Sequence, residues 1–400
     1  MTSKVIDGSV LEGGGQILRN AVSLSALLSK PVKIEKIRNG RKPPGLKNQH
    51  RTGLELAAQI SNAQLTGAKN GSREIEFIPG QIQLPDRFHA DSVTAGSITL
   101  LSQIGLPLLL FSPTAVGASK LTLLGGTNAS NAPQIDYTEH IFIPFMRRFF
   151  GVENISLHIK KRGYFPKGGG EVDFKVTPLS EGQKLKSFSL MKRGKVKWIA
   201  GISHFAGLPR KIGENMVKGA TSRLAQAGFV KGQIDFQGEL PAEVLDERRD
   251  VPVSIPVQRE PDNLTKGAGS GIVLWAELEG GGILGGSAIG SKNIDPEKVG
   301  EEAANELLKA LDNQGCVDEH LQDQIIMFMA LAEGKSEVRC GKDGLALHTK
   351  TAIWLAEQLT DAKFDIEEES EGTVVIRCDG IGYTSQPERE RDDGDSVKKS

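Results

Sequence analysis

Glu12-Gly13-Gly14-Gly15-Gln16-Ile17-Leu18-Arg19 sets three glycines directly before an apolar pattern with helical spacing that runs to residue 28. Glycines there permit a tight corner and close backbone approach to a ligand, and the first turn of a helix offers free N–H groups to an anion. Gln16 and Arg19, three residues apart, share one face of that helix. Similar clusters recur, GG at 125–126 and 285–286 and GGG at 168–170 and 280–282, each beside a β-rich run. They read as turns between strands and helices in repeated units. Residues 32–37, 74–78, 121–124, 155–159 and 171–176 have strand character, and 16–28 and 52–60 have helical apolar spacing. The alternation places the chain in the mixed α/β (α+β) class.

Farther along, Asp295 reads as an N-cap, with Pro296 in the first turn and Val299, Ala303, Leu307 and Leu311 spaced by four. A second helix is predicted from Asp318 to Gly334, with Leu321, Ile325, Phe328 and Ala332 facing inward. Residues 184–277 differ in texture, with strands near 195–202 and 271–277 around a helix near 214–227. They read as a small domain inserted into a larger discontinuous one, 1–183 and 278–385. Residues 386–400 are mostly charged, with Val397 the one apolar residue, and read as a disordered tail.

Composition narrows the function. Among 400 residues, 49 Lys and Arg balance 50 Asp and Glu, which excludes a nucleic-acid binder acting through global charge and leaves room for a local basic patch. No apolar run approaches the ~20 residues of a membrane span, and the start MTSKVIDGSV has no apolar leader stretch, so a soluble intracellular protein is expected. Cys316, Cys340 and Cys378 lack C-x-x-C spacing and read as reduced, buried residues.

Two segments concentrate cations. Residues 38–51 hold Arg38, Arg41, Lys42, Lys47 and Arg51, with Gln49 and His50, around a Pro-Pro-Gly turn, a rigid local surface suited to phosphate. Residues 160–170 supply Lys160, Lys161, Arg162 and Lys167 beside Tyr164 and Phe165, two rings able to stack on a base. His320, Asp323 and Gln324 share a face near a helix start. His348 stands at a loop-to-helix junction, where the dipole favours a neutral imidazole whose lone pair can attack phosphorus.

Taken together, these segments resemble the RNA 3'-terminal phosphate cyclase family over residues 6–382. The motifs that carry the resemblance are Glu12 to Arg19, Arg38 to Arg41 continuing through Pro44 to His50, Gly125 to Asn128 leading to Ala132 through Asp136, Arg162 to Glu171, His320 to Gln324, and Leu347 to Thr351. The resemblance implies a large domain of units pairing a four-stranded sheet with two helices, interrupted by a smaller α/β insert. It implies that His348 is adenylylated by ATP and passes AMP to an RNA 3'-phosphate, whose neighbouring 2'-OH then closes a 2',3'-cyclic phosphate. It places Gln103, Pro133, His320, Asp323, Gln324 and His348 around the nucleotide, and Arg19, Arg38, Arg41 and Gln49 around the phosphates. Glu12 would hold a divalent metal, Mg2+ or Mn2+. Eukaryotic members are expected in the nucleoplasm. The chain departs from the family at His320, where tyrosine is common, and at Leu284, where an aromatic is common nearby. A related branch acts in ribosome biogenesis without cyclase activity and lacks the histidine; His348 argues against that non-catalytic reading. Near-zero net charge predicts recognition confined to the RNA end, with a shallow salt dependence.

Overall fold

Three times along the chain, one order of elements builds a four-stranded sheet backed by helices. The computed structural model describes residues 2–111, 117–230, 241–369 and 372–385; the predicted tail lies outside them. The first unit is β1 (Lys4–Asp7), α1 (Gly15–Leu28), β2 (Val32–Glu35), α2 (Asn48–Ser61), β3 (Gln64–Thr66) and β4 (Ile75–Ile78), with sheet order β1-β2-β4-β3. In the second, β5 (Arg87–Asp91), α3 (Ile98–Leu110) and β6 (Ser119–Gly125) lead into a helical run. That run contains α4 (Ile135–Tyr137) and α5 (Ile143–Phe145), joined and extended by π-turns at Thr138–Phe142 and Met146–Phe150. Strands β7 (Ile155–Lys161) and β8 (Gly170–Val176) complete the sheet β5-β6-β8-β7.

The third unit opens with the two-residue strand β9 (Ser189–Leu190) and is then interrupted. The interruption comprises β10 (Val196–Ala206), α6 (Arg210–Gln226), α7 (Ala242–Arg248), β11 (Val253–Ser254), β12 (Val257–Arg259), β13 (Gly269–Leu278), β14 (Ile283–Ile289) and α8 (Pro296–Asp312). The unit resumes with α9 (Glu319–Leu331), β15 (Glu333–Gly341), α10 (Leu347–Leu359), β16 (Lys363–Glu368) and β17 (Val374–Ile381), and its sheet order β16-β17-β15-β9 is the first unit's order read backwards.

The interrupting segment has its own core, including Ile199, Met216, Leu224, Ile272, Leu274, Leu284, Val299, Leu307 and Leu311. That core does not end at residue 277, where the change of sequence texture drew the boundary. The apolar stripe of α8 packs onto β14 and α6, so helix and strand belong to the same small unit. Gly285 and Gly286 are likewise not a turn. Both lie inside β14, where a Cβ on Gly286 would stand 2.3 Å from the Leu307 nitrogen and one on Gly285 2.8 Å from the Tyr137 ring. Glycine is needed there because α8 and the helical run of the second unit both close onto the strand. Helix caps follow the sequence pattern: Asp295 accepts from the Glu297 N–H and Asp318 from the Leu321 N–H. Helix α9 ends at Leu331, three residues short of Gly334, because Ala332 is already extended and β15 starts at Glu333. All three cysteines are free and buried.

A buried polar network joins the small unit to the second one. Arg162 donates to both carboxylate oxygens of Asp136, at 2.6 and 2.8 Å, and its Nε donates to Glu260 at 2.8 Å. Burial opposes ionisation of Asp136, yet the Arg162 guanidinium holds its carboxyl well below the usual range. Gln134 donates to the carbonyls of Ile272 at 3.2 Å and Ala288 at 3.1 Å, and the Tyr164 hydroxyl lies 3.0 Å from His204 Nδ1. The second basic segment is therefore not an open phosphate surface. Arg162 is consumed inside the protein, Tyr164 is buried, and Lys160 is paired with Glu171 and Asp173 at 2.8 and 2.9 Å.

Removing Arg162 leaves Asp136 charged, buried and unpaired. Arg162→Met should cost about 3–5 kcal/mol, whereas Lys161→Met at the exposed end of β7 should cost less than about 1 kcal/mol. Urea unfolding of the two variants checks this; equal midpoints would remove the network as a source of stability.

Candidate functional site

In each unit a parallel strand pair feeds helices: β1 pairs β2, β5 pairs β6 and β9 pairs β15, all in parallel. Helices that leave the same ends of parallel strands start at the same edge, where ligands of open α/β sheets bind. The first turns of α1, α2, α3, α9 and α10 accordingly border one cavity of about 790 Å3. The dipoles of those helices, and the first-turn N–H groups that no cap satisfies, favour negative charge in the space between them.

The glycine run supplies one wall. A Cβ on Gly14 would fall 2.0 Å from Glu12 Oε1, so glycine is what lets the Glu12 carboxylate fold back against the chain. Glu12 Oε1 accepts from Arg41 Nη2 at 2.6 Å, the same nitrogen donates to the Glu12 carbonyl at 3.0 Å, and the Glu12 N–H donates to Thr351 Oγ1 at 3.1 Å. The second carboxylate oxygen, Oε2, is buried without a hydrogen-bond partner among the described residues. Arg19 donates to Gln16 through Nη2, while its buried Nε has no partner. Burial pushes the Arg19 pKa down, against the pull of Asp323 and Glu12.

The Pro-Pro-Gly segment leads into α2. Buried Arg38 donates to the carbonyls of Pro43 at 3.1 Å and Gly45 at 2.9 Å, which ties its guanidinium to the turn. His50 Nδ1 accepts from the Lys47 N–H at 3.2 Å, leaving Nε2 as the protonated nitrogen of a neutral ring. Burial, with Arg38, Arg19 and Lys47 around it, pushes the His50 pKa down to about 3. Gln49 Oε1 accepts from the Ser97 N–H at 3.0 Å and so joins the first turns of α2 and α3.

Helices α9 and α10 supply a further part of the wall. His320 donates through Nε2 to Glu306 on α8 at 3.2 Å, and Gln324 Nε2 donates to the His320 carbonyl at 2.6 Å. Burial opposes the His320 cation, but Glu306, Asp318 and Asp323 outweigh it and raise the pKa to about 9. Burial pushes Asp323 up to about 6, with Arg19, His320 and His348 pulling the other way. His348 is the second residue of α10 and is exposed to the cavity.

The cavity thus brings together Glu12, Arg19, Arg38, Arg41, Gln49, Gln103, Pro133, His320, Asp323, Gln324 and His348. Leu284 is not among its lining residues; it is fully buried in the small unit's core. The wall also contains Lys47 and His50 of the first basic segment, Phe165, one of the two rings read as able to stack on a base, and Ser97, which carried no role in the sequence reading. His50 had a local signal, three residues after the Lys47 cap. Glu306 had none, because it reaches His320 from another helix. Arg19 stands on α1, and Arg38, Arg41 and Lys47 on the loop between β2 and α2, with the Glu12 carboxylate among them; Glu319 and Asp323 stand on α9 beside His320. The arrangement suits a molecule that carries phosphates together with polar groups able to meet a carboxylate.

Comparison with known proteins identifies the family. The family model for RNA 3'-terminal phosphate cyclase matches residues 10–366. An RNA 3'-terminal phosphate cyclase of Drosophila melanogaster is 38% identical over 382 residues, covering 95% of this chain and 97% of that protein. One of Staphylothermus marinus is 39% identical over 380 residues, with 95% and 98% covered, and one of Pyrobaculum aerophilum is 36% identical over 378 residues, with 94% and 98% covered.

The His320–Glu306 pair should make stability depend on pH. Its folded pKa of about 9 lies above the ordinary value near 6.5, so its contribution is complete below about pH 6.5 and is lost as pH rises through about 9. Tm measured across that window should fall more steeply for the unaltered protein than for His320→Gln, and parallel curves would overturn the assignment.

Proposed function

Because the chain belongs to the RNA 3'-terminal phosphate cyclase family, we propose that its cavity cyclises RNA 3'-phosphate ends at the expense of ATP, with His348 as the nucleophile. One observation carries the reading: His348 faces a cavity bordered by five helix starts and by Arg19, Arg38, Arg41 and Lys47. A side chain able to form a bond to phosphorus stands where phosphates are electrostatically favoured.

Three transfers follow from that placement. A ring nitrogen of His348 attacks the α-phosphorus of ATP; the bond to the bridging oxygen breaks and pyrophosphate leaves. An oxygen of the RNA 3'-phosphate then attacks the same phosphorus, the P–N bond breaks, and the histidine is regenerated. Finally the vicinal 2'-oxygen, losing its proton, attacks the RNA phosphorus and expels AMP, leaving a 2',3'-cyclic diester. Arg19, Arg38 and Arg41 offset the charge that gathers on the transferring oxygens. Gln103, Pro133, His320, Asp323 and Gln324 enclose the base and sugar of the nucleotide. Gln49 fixes the start of α3 against α2 beside the phosphates.

Glu12 suits a divalent cation, Mg2+ or Mn2+, because its buried Oε2 is free while Oε1 is anchored by Arg41. A single carboxylate is enough for a cation that keeps waters and phosphate oxygens as its other ligands. When bound, the ion supplies neutralisation of phosphate charge. Residence in the nucleoplasm belongs to the same proposal, and microscopy of the tagged protein tests it.

Incubation with α-labelled ATP and Mg2+ or Mn2+ should yield an acid-labile, alkali-stable protein–AMP adduct. His348→Ala should lose the adduct and depress cyclisation by at least roughly a thousandfold. RNA ending in a 3'-phosphate should be cyclised and RNA ending in a 3'-hydroxyl left unchanged. An adduct that survives in His348→Ala would displace the nucleophile, and RNA binding without any adduct would favour the non-catalytic branch.

A further inference from the structure

Phe165 is the only aromatic among the exposed large hydrophobic residues of the described chain; it is 54% exposed and lines the cavity. No other ring packs against it among the described residues. Its backbone, in contrast, is held on several sides. The Phe165 N–H donates to the Asn128 carbonyl at 3.1 Å, and the Gly168 N–H closes the turn onto Tyr164 at 2.9 Å. The Tyr164 ring before it is buried against His204. A Cβ on Gly168 would lie 2.9 Å from the Ala95 Cα, so the turn abuts the loop that carries Val93. Val93 is 74% exposed at φ +61, a conformation that costs a β-branched residue energy and that tends to persist at functional sites.

We propose that Phe165 is a stacking platform for the base of the RNA's 3'-terminal nucleotide, with the loop around Val93 beside it at the cavity mouth. The proposal rests on the cyclase reading above. An exposed ring on a fixed backbone loses little freedom when a base settles on it, and every base offers a π-face. The reaction brings two bases to one cavity of about 790 Å3, one from ATP and one from the RNA end. Phe165 comes from the β7–β8 turn, apart from the α3 and α9 residues Gln103, Asp323 and Gln324, and shares the cavity with the cations of α1 and of the loop before α2. A terminal nucleotide whose phosphate meets Arg19, Arg38 and Arg41 would have its base within reach of this rim.

The test is a split between two Michaelis constants. In Phe165→Ala, KM for an oligoribonucleotide with a 3'-phosphate should rise roughly five- to a hundredfold, with KM for ATP within about twofold of the unaltered protein. Phe165→Trp should retain a low KM for RNA, which a merely disturbed fold would not explain. An oligonucleotide whose terminal residue is abasic should bind the unaltered protein as weakly as the ordinary one binds Phe165→Ala. Parallel rises in both constants, or full affinity for the abasic end, would overturn the stacking assignment while leaving the cyclase reading intact. Failure of the unaltered protein to cyclise any RNA end would overturn both.

Discussion

Much of this structure follows from the parallel pairing of two strands in each sheet. A strand that runs parallel to its neighbour sends its following helix off from the same edge; the pairs β1/β2 and β5/β6 do this directly, and in the pair β9/β15 the insert stands between β9 and α9. The helix starts then meet at one place, and their N–H groups have no partners within their own helices. That end of the fold therefore carries positive potential before any charged side chain is counted. Arg19, Arg38, Arg41 and Lys47 add to a preference set by the backbone, which is why a chain with almost balanced charge can hold a polyanion.

The insert between β9 and α9 bears on the site without supplying its helix starts. Its His204 and the carbonyls of Ile272 and Ala288 engage Asn128 and Gln134, which flank the loop containing Ala129 to Pro133 on the cavity wall. Asp136, a turn beyond, is fixed by Arg162, which also reaches Glu260 of the insert. From the other side, Glu306 on α8 holds His320. The small unit thus braces two walls through buried or half-buried polar contacts, whose loss would be felt in the cavity's shape as well as in stability.

What was legible in the sequence was local. Asp295, Pro296 and Asp318 declare helix starts because a cap is a contact within a few residues. Four of the six motifs sit at strand-to-helix junctions, places that glycine and cap residues mark; Arg162 to Glu171 is the β7–β8 turn and His320 to Gln324 opens α9 after α8. What was hidden depended on partners far away in the chain. Arg162 looks like a free cation until Asp136 and Glu260 are brought to it, 26 and 98 residues away. Gly285 and Gly286 look like a turn until the helical run of the second unit presses on the first and α8 on the second. The insert appears to end at 277 because α8 has the same amphipathic pattern whether it packs on the small core or the large one.

The two histidines flanking His348 in the cavity show how one site can give the same side chain opposite roles. His50 lies among Arg19, Arg38 and Lys47, buried, and is kept neutral with its proton on Nε2. His320 lies among Glu306, Asp318 and Asp323 and is kept charged. The first adds a hydrogen-bond donor to the phosphate side without adding to a charge that is already large. The second balances carboxylates on the side where a nucleotide's sugar and base would sit, so that Asp323 can accept hydrogen bonds there without leaving that wall strongly negative. Local electrostatic surroundings within a single cavity, rather than overall basicity, thus set the charge of each histidine.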